Sequence, residues 1–170
     1  VDLYGDLTIN GAALSTLAAR DDLRLSGRQI GNPLVAGGAQ LLGSLNSMGD
    51  VVLNAAQVYP TTLSQFTVAV QQRSAQGDIT AQPVGRLEIR ASGQAPGAAL
   101  SAGGAATLRA DHVVQAGVLK APLGQWALQA GSTLELSPQS LTSVTAAGLT
   151  LPFGATDAGV RWLYSATQGT

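Results

Sequence analysis

A chain of 170 residues and 17.1 kDa is long enough to bury one sizeable core. With 11% of residues charged, 45% apolar and a net charge of −1, the composition argues against disorder and offers no electrostatic footprint for nucleic acid or anionic lipid. It contains no cysteine, which excludes disulfides and thiolate metal sites, and no apolar run approaches the roughly 20 residues needed to span a bilayer.

The chain begins with LYGDLTING, Leu3 to Gly11, where Leu3, Gly5, Leu7 and Ile9 alternate and an Asn-Gly pair signals a turn. In AALSTLAARDD, Leu14, Leu17 and Ala18 stand at helical spacing, but the stretch is short and flanked by strand-like segments, so strand or coil is expected. DLRLSGRQI, Asp22 to Ile30, is strand-like, and GNPLVAGGAQ and LLGSLNSMGD run through Gly-rich turns. In GDVVLNAAQVYPTT, Gly49 to Thr62, residues Val51, Leu53 and Ala55 share one strand face. Tyr59-Pro60-Thr61-Thr62 then makes a corner. FTVAV places Phe66, Val68 and Val70 together, and RLEIRA sends Leu87 and Ile89 inward with Arg86, Glu88 and Arg90 outward. The loop SGQAPGAALSAGG leads to further strands in VLKA, WALQA, STLELSP and AGLTLPFG, the last with Leu149, Leu151 and Phe153 on one face.

A signature recurs along these strands: an aliphatic residue, a small residue two on, and an aliphatic residue three further. It reads Leu25, Gly27, Ile30; Leu53, Ala55, Val58; Ile79, Ala81, Val84; Leu108, Ala110, Val113; and Leu136, Pro138, Leu141 with proline at the small position. The first members, at 25, 53, 79, 108 and 136, are separated by 28, 26, 29 and 28 residues. A period of about 28 residues with several strands in each repeat implies an all-β solenoid over residues 1–170, with about six coils and a length on the order of 30 Å. Leu25, Leu53, Ile79, Leu108 and Leu136 are expected to form one internal ladder. A β-sandwich is the structural alternative.

The residue inventory holds little that resembles catalysis. His112 is the one histidine; it falls at a corner, and its surface placement is expected over a role as a base. Asp21-Asp22 is the adjacent carboxylate pair, with no second acidic cluster near it in sequence, and reads as a solvated turn. Asp6, Asp50 and Asp78 each follow glycine and precede an aliphatic residue, a pattern that suits turns leading into strands and that would make a weak Ca²⁺ ladder if stacked. Gly37-Gly38 and Gly103-Gly104 lack the aspartate of the glycine-rich Ca²⁺ nonapeptide. No nucleophile elbow or phosphate loop is present. Of the aromatic residues suited to sugar stacking, Trp126 alternates with Leu128 and reads as core, while Trp162 and Tyr164 lie near the chain end, where they would cap a coil. No catalytic, cofactor-binding or metal-binding residue is assigned, and no cofactor is expected.

Two stretches, AAQVYPTTLSQFTV from Ala55 to Val68 and KAPLGQWALQAGSTLELSPQSLTSVTAAGLTLPFG from Lys120 to Gly154, resemble the filamentous haemagglutinin family of two-partner-secretion exoproteins. The resemblance implies a right-handed parallel β-helix within a long exported fibre that passes an outer-membrane transporter and acts mainly in adhesion. It also implies a secreted or cell-surface location and a receptor or glycan on a host or neighbouring cell as partner, without nucleic-acid binding or membrane insertion. Since VDLYGDLTING lacks a signal-peptide pattern and the family's secretion domain is not recognisable, the chain is expected to be an internal or C-terminal-region segment. Two rival functions are a β-helical carbohydrate-active enzyme, which would need acids from successive coils to converge on one groove, and the stalk of a contact-dependent inhibition toxin.

Overall fold

The architecture is given by a computed structural model, which describes residues 1–31, 39–73, 79–150, 155–157 and 161–163. These residues form strands, turns and loops with no helix among them. The strands are β1 Asp2–Tyr4, β2 Asp6–Ile9, β3 Leu14–Ala18, β4 Asp22–Ser26, β5 Arg28–Gly31 and β6 Ala39–Ser47. They continue as β7 Asp50–Ala55, β8 Gln57–Pro60, β9 Ser64–Arg73, β10 Ile79–Pro83, β11 Arg86–Ala91 and β12 Ala105–Ala116. The last are β13 Val118–Lys120, β14 Gln125–Leu136, β15 Leu141–Ser143, β16 Ala155–Asp157 and β17 Arg161–Leu163. Leu14–Ala18 is thus a strand despite its helical spacing.

Most pairings are parallel and join segments far apart in sequence. One sheet runs β1-β4-β8-β13-β15. The larger sheet has two arms, β2-β6-β9 and β3-β7-β11, which meet at β12; β14 lies along the whole of β12. Both β12 and β14 are 12 residues long. Their pairing shifts register between Ala110 and His112, so the first part of each strand continues one arm and the second part the other. The result is a nearly closed, barrel-like wall of three rows. Each row is five strands deep, roughly 20 Å at ~4.8 Å per step.

Alternation explains why these sequences make the wall. Leu23, Leu25, Leu45, Leu53, Val58, Phe66, Val68, Leu87, Ile89, Leu108 and Leu119 turn inward and are 0–2% exposed. Inward Leu87 and Ile89 with outward Arg86, Glu88 and Arg90 follow the pattern read in RLEIRA. The core is made of in-register ladders. One joins Leu7, Leu45, Val68, Leu108 and Leu128; another joins Leu17, Leu53, Ile89, Gln115 and Leu136.

The single 28-residue ladder is not what forms. Leu25 pairs with Leu3 and Pro60 in the five-stranded sheet, whereas Leu53 and Leu108 occupy different ladders of the larger one. Ile79 starts β10, whose antiparallel pairing with β9 lies outside the three rows. Leu136 shares the ladder of Leu53 but is 60% exposed, because β14 has no strand beyond it among the described residues. The reason is insertion: the β5–β6 hairpin, the β9–β10 arm and the loop 92–104 lengthen some layers and not others. Successive members of the Leu7 ladder are consequently 38, 23, 40 and 20 residues apart, and a constant period cannot follow them.

Corners are stacked as strictly as strands. In Thr61–Ser64 and Ala121–Gly124 the fourth N–H donates to the first carbonyl, and Leu63 and Leu123 take left-handed φ values of 55° and 56°. Gly103, φ 67°, lies between them: Leu63 N–H donates to Ala102 O and Gly103 N–H to Pro122 O. Close approach makes Gly124 obligatory, since a Cβ there would overlap the Gly104 carbonyl oxygen. Leu149 follows a turn at Ala147-Gly148 and donates its N–H to Ala146 O; Leu151 and Phe153 lie outside the described residues.

Candidate functional site

Outward side chains of the parallel rows build three polar surfaces. The widest lies on β6, β9, β12 and β14, where Leu42, Gln65, Ala105 and Gln125 align across the strands and Ser44, Thr67, Thr107 and Ala127 form the next line. Small residues in that second line leave a trough of about 410 Å³, bordered by Leu42, Gln65 and Gln125 and floored by Thr67, Thr107 and Ala105. Its lining carries no charge. Gly43 is required beneath it, because a Cβ would stand 2.6 Å from the ring of buried Phe66. The trough offers amide and hydroxyl groups that donate and accept hydrogen bonds, an arrangement for holding a neutral polar ligand rather than for transferring a proton.

A second surface covers β3, β7 and β11. Glu88 accepts from Arg90 Nε at 2.6 Å and Nη2 at 3.0 Å and from Arg86 Nε at 3.3 Å. Hydrogen bonding from Arg90, opposed by partial burial, holds the Glu88 carboxyl below the usual glutamate range. Its neighbours in register are Val52 and Val114, each 5% exposed although they face outward, so the carboxylate is flanked by apolar side chains. Asp50 accepts from the Arg86 N–H at 2.8 Å. A depression of about 230 Å³ remains beside Leu14, Thr16 and Asp50. Both arginines are committed to Glu88, which leaves a neutralised patch and not an anion clamp.

The third surface surrounds His112. Its Nε2 lies 3.2 Å from Asp111 Oδ2, while Ser132 Oγ donates to Asp111 Oδ1 at 2.6 Å. Serine, aspartate and histidine are therefore adjacent, but in the wrong order for nucleophilic catalysis. An activated serine needs the imidazole on its hydroxyl and the carboxylate behind the imidazole; here the carboxylate separates the two. His112 is exposed and sits at the register shift of β12, the corner expected from the sequence.

The acids are dispersed as well. Asp21 is exposed, but Asp22 is no solvated turn residue: it begins β4 and is half-buried. Gln57 Nε2 donates to Asp22 Oδ1 at 2.8 Å and the Tyr59 hydroxyl to Oδ2 at 2.9 Å. Tyr59 faces outward yet is fully buried, because loop 92–101 crosses it. Ala99 and Ser101 are buried in that loop, and Lys120 Nζ ties it down through Gly97 O at 3.1 Å. Burial and the hydrogen bond to Asp22 push the Tyr59 phenol up to about 12. Asp6 and Asp50 begin β2 and β7 as expected, but Asp6 is in register with Ser44 and Asp50 with Leu14, so they do not stack into a Ca²⁺ ladder. Asp78 lies outside the described residues. Among the described residues no group of three His, Cys, Asp or Glu side chains is placed to hold a metal ion.

Trp126 packs half-buried against the core, as its alternation implied, in register with Ala106. Trp162 belongs to β17, paired antiparallel with β16; Tyr164 and Gly37-Gly38 lie outside the described residues. Gly103-Gly104 serves the stacked corners. Sequence reasoning missed the trough and the Asp22–Gln57–Tyr59 cluster. Alternation alone marks Gln65, Thr67, Thr107 and Gln125 as outward, but aligning them requires the irregular layer lengths. Comparison of the chain with family models, curated proteins and solved structures finds no match to any of them.

Proposed function

We propose that this chain is a structural and adhesive segment of an exported fibre of the filamentous haemagglutinin kind, folded as a right-handed parallel β-helix. The observation that carries the reading is the row of in-register parallel strands joined by stacked corners, in which Leu7, Leu45, Val68, Leu108 and Leu128 follow one another across five layers. Such stacking converts a chain into a stiff element whose outer surface repeats along an axis. The resemblance of Ala55–Val68 and Lys120–Gly154 to two-partner-secretion exoproteins supports the same reading. On it, the parent crosses the outer membrane through a dedicated transporter and remains at the cell surface or is released. Its partner is a receptor or glycan on another cell.

The uncharged trough over Gln65, Thr67, Thr107 and Gln125 suits weak hydrogen-bonded contact. Weak contacts gain strength when multiplied along a fibre, whereas hydrolysis or elimination needs an acid and a base within about 3 Å of a reacting atom. Two measurements test the proposal: cell binding by the parent fibre with and without residues 1–170, and turnover of a polysaccharide panel with and without Ca²⁺. Reduced adhesion after the deletion, with no turnover, is expected. Turnover abolished by changing Asp21, Asp22 or His112 would replace adhesion by catalysis, and unchanged adhesion would reduce the segment to a spacer.

A further inference from the structure

The trough on the widest face owes its shape to one small residue. Along the line Leu42, Gln65, Ala105 and Gln125, Ala105 interrupts a run of longer side chains. Gln65 and Gln125, both exposed, therefore flank a gap two layers wide, about 9.6 Å between backbones at ~4.8 Å per step. Half-buried Thr67 and Thr107 floor it. β9 and β12 carry strands on both sides, so strands inside the sheet, and not its ends, set this floor. Neighbouring polar groups on the same face bond to one another: Gln71 Nε2 donates to Asn46 Oδ1 at 2.9 Å, Asn46 Nδ2 to Ser44 Oγ at 3.2 Å and Ser44 Oγ to Asp6 Oδ1 at 3.0 Å. Among the described residues, Gln65, Thr67, Thr107 and Gln125 join no such chain. Their donors and acceptors are left for solvent or a ligand.

We propose that the trough binds an uncharged oligosaccharide laid across the strands, one pyranose ring per layer. The inference rests on the adhesive reading and names the chemistry of its ligand. A match of lengths carries it. Each layer advances ~4.8 Å, close to the advance of one pyranose ring in an extended glycan, so equivalent hydroxyls meet side chains on successive strands. The volume of about 410 Å³ lies within the roughly 300–1,000 Å³ of small-ligand sites. A primary amide donates and accepts, as a sugar hydroxyl does. Gln65 and Gln125 hold the ring over Ala105 from both sides, while Thr67 and Thr107 meet its lower edge.

Charge and backbone pairing disfavour the other ligand classes. No charged side chain lines the trough, and Arg109, the next outward residue of β12 after Thr107, does not reach into its lining. A carboxylate or sulfate would lose hydration there without a charged partner. A peptide gains affinity by adding a strand to a sheet edge, but β9 and β12 are paired on both sides and have no edge to offer. The lining has no exposed aromatic ring, so a single segment binds weakly and exchanges rapidly.

Titration of the full chain with cellotriose, maltotriose and triacetylchitotriose, followed by side-chain amide signals in nitrogen-edited NMR spectra, tests the proposal. At least one of these sugars is expected to shift Gln65 and Gln125 saturably, with trigalacturonate binding about tenfold more weakly. Ala105→Gln fills the gap from an outward position and removes no polar group; it should abolish the shifts with unchanged circular dichroism. Gln125→Ala takes its place if that variant does not fold, and should weaken binding about two- to tenfold. No saturable shift with any of these sugars, shifts confined to residues outside the trough, equal binding of trigalacturonate, or full binding by Ala105→Gln would each overturn the proposal. An uncharged Ser/Thr peptide that shifts the same amides where the sugars do not would replace glycan by peptide. Adhesion by the parent fibre is a separate readout: adhesion lost on deleting residues 1–170 but retained with Ala105→Gln would strike the trough and leave the adhesive reading standing.

Discussion

At the scale of single residues, the outward face of β8 behaves as interior. Tyr59 is held by Asp22 beneath loop 92–101, and its phenol is raised to about 12, against about 10 in an unfolded chain. A raised folded value means that the stabilisation is complete below pH 10 and is lost as pH rises from 10 through 12. We predict alkaline unfolding in that window, and Tyr59→Phe should flatten the pH dependence of the melting temperature there. An unchanged slope would mean that the phenol is not buried. Glu88 has the opposite sign: its carboxyl is lowered, so its contribution is present above about pH 4.3, the unfolded value, and disappears as pH falls through the folded one. Glu88→Gln should weaken the acid-side dependence of stability without altering the alkaline side. Leu123 is strained, with φ 56° at 69% exposure. A non-glycine residue in this conformation costs roughly 1–2 kcal/mol, partly offset on replacement by the extra unfolded-state freedom of glycine. Leu123→Gly should therefore raise stability by about 0.5–1 kcal/mol in denaturant titration.

At the scale of strands, position within a ladder decides what a sequence signature is worth. Leu108 and Leu136 hold the same place in the 28-residue signature, yet Leu108 is 0% and Leu136 60% exposed. Truncating a buried leucine to alanine costs about 2–5 kcal/mol, and Leu108→Asp adds an unpaired buried charge. Leu136→Ala should remain within about 0.5 kcal/mol. Equal melting shifts for Leu108→Ala and Leu136→Ala would show that the ladder is misplaced. The contrast also marks what could be read beforehand. Strand character and inward or outward sense were legible through local alternation, as Arg86–Ala91 shows. Which strands become neighbours was not: it depends on how many residues each corner, arm and loop consumes. The trough escaped for the same reason, since Thr67 and Thr107 are adjacent across 40 residues of sequence. Asp22 escaped because its partners, Gln57 and Tyr59, come from the next layer.

At the scale of the molecule, the exported-fibre reading depends on one property: sequence-distant segments stacked in parallel and in register. The chain has no cysteine, so paired spin labels can be introduced without background. Ser44, Thr67, Thr107 and Ala127 stand in one outward line, each in register with the next. At ~4.8 Å per strand, labels on Ser44 and Thr67, on Thr67 and Thr107, and on Thr107 and Ala127 should report one common short separation. Labels on Ser44 and Thr107 should report about twice the backbone step, and those on Ser44 and Ala127 about three times. Parallel stacking in register requires this regular progression. Three unrelated distances, or Ser44 lying nearer to Ala127 than to Thr67, would contradict it.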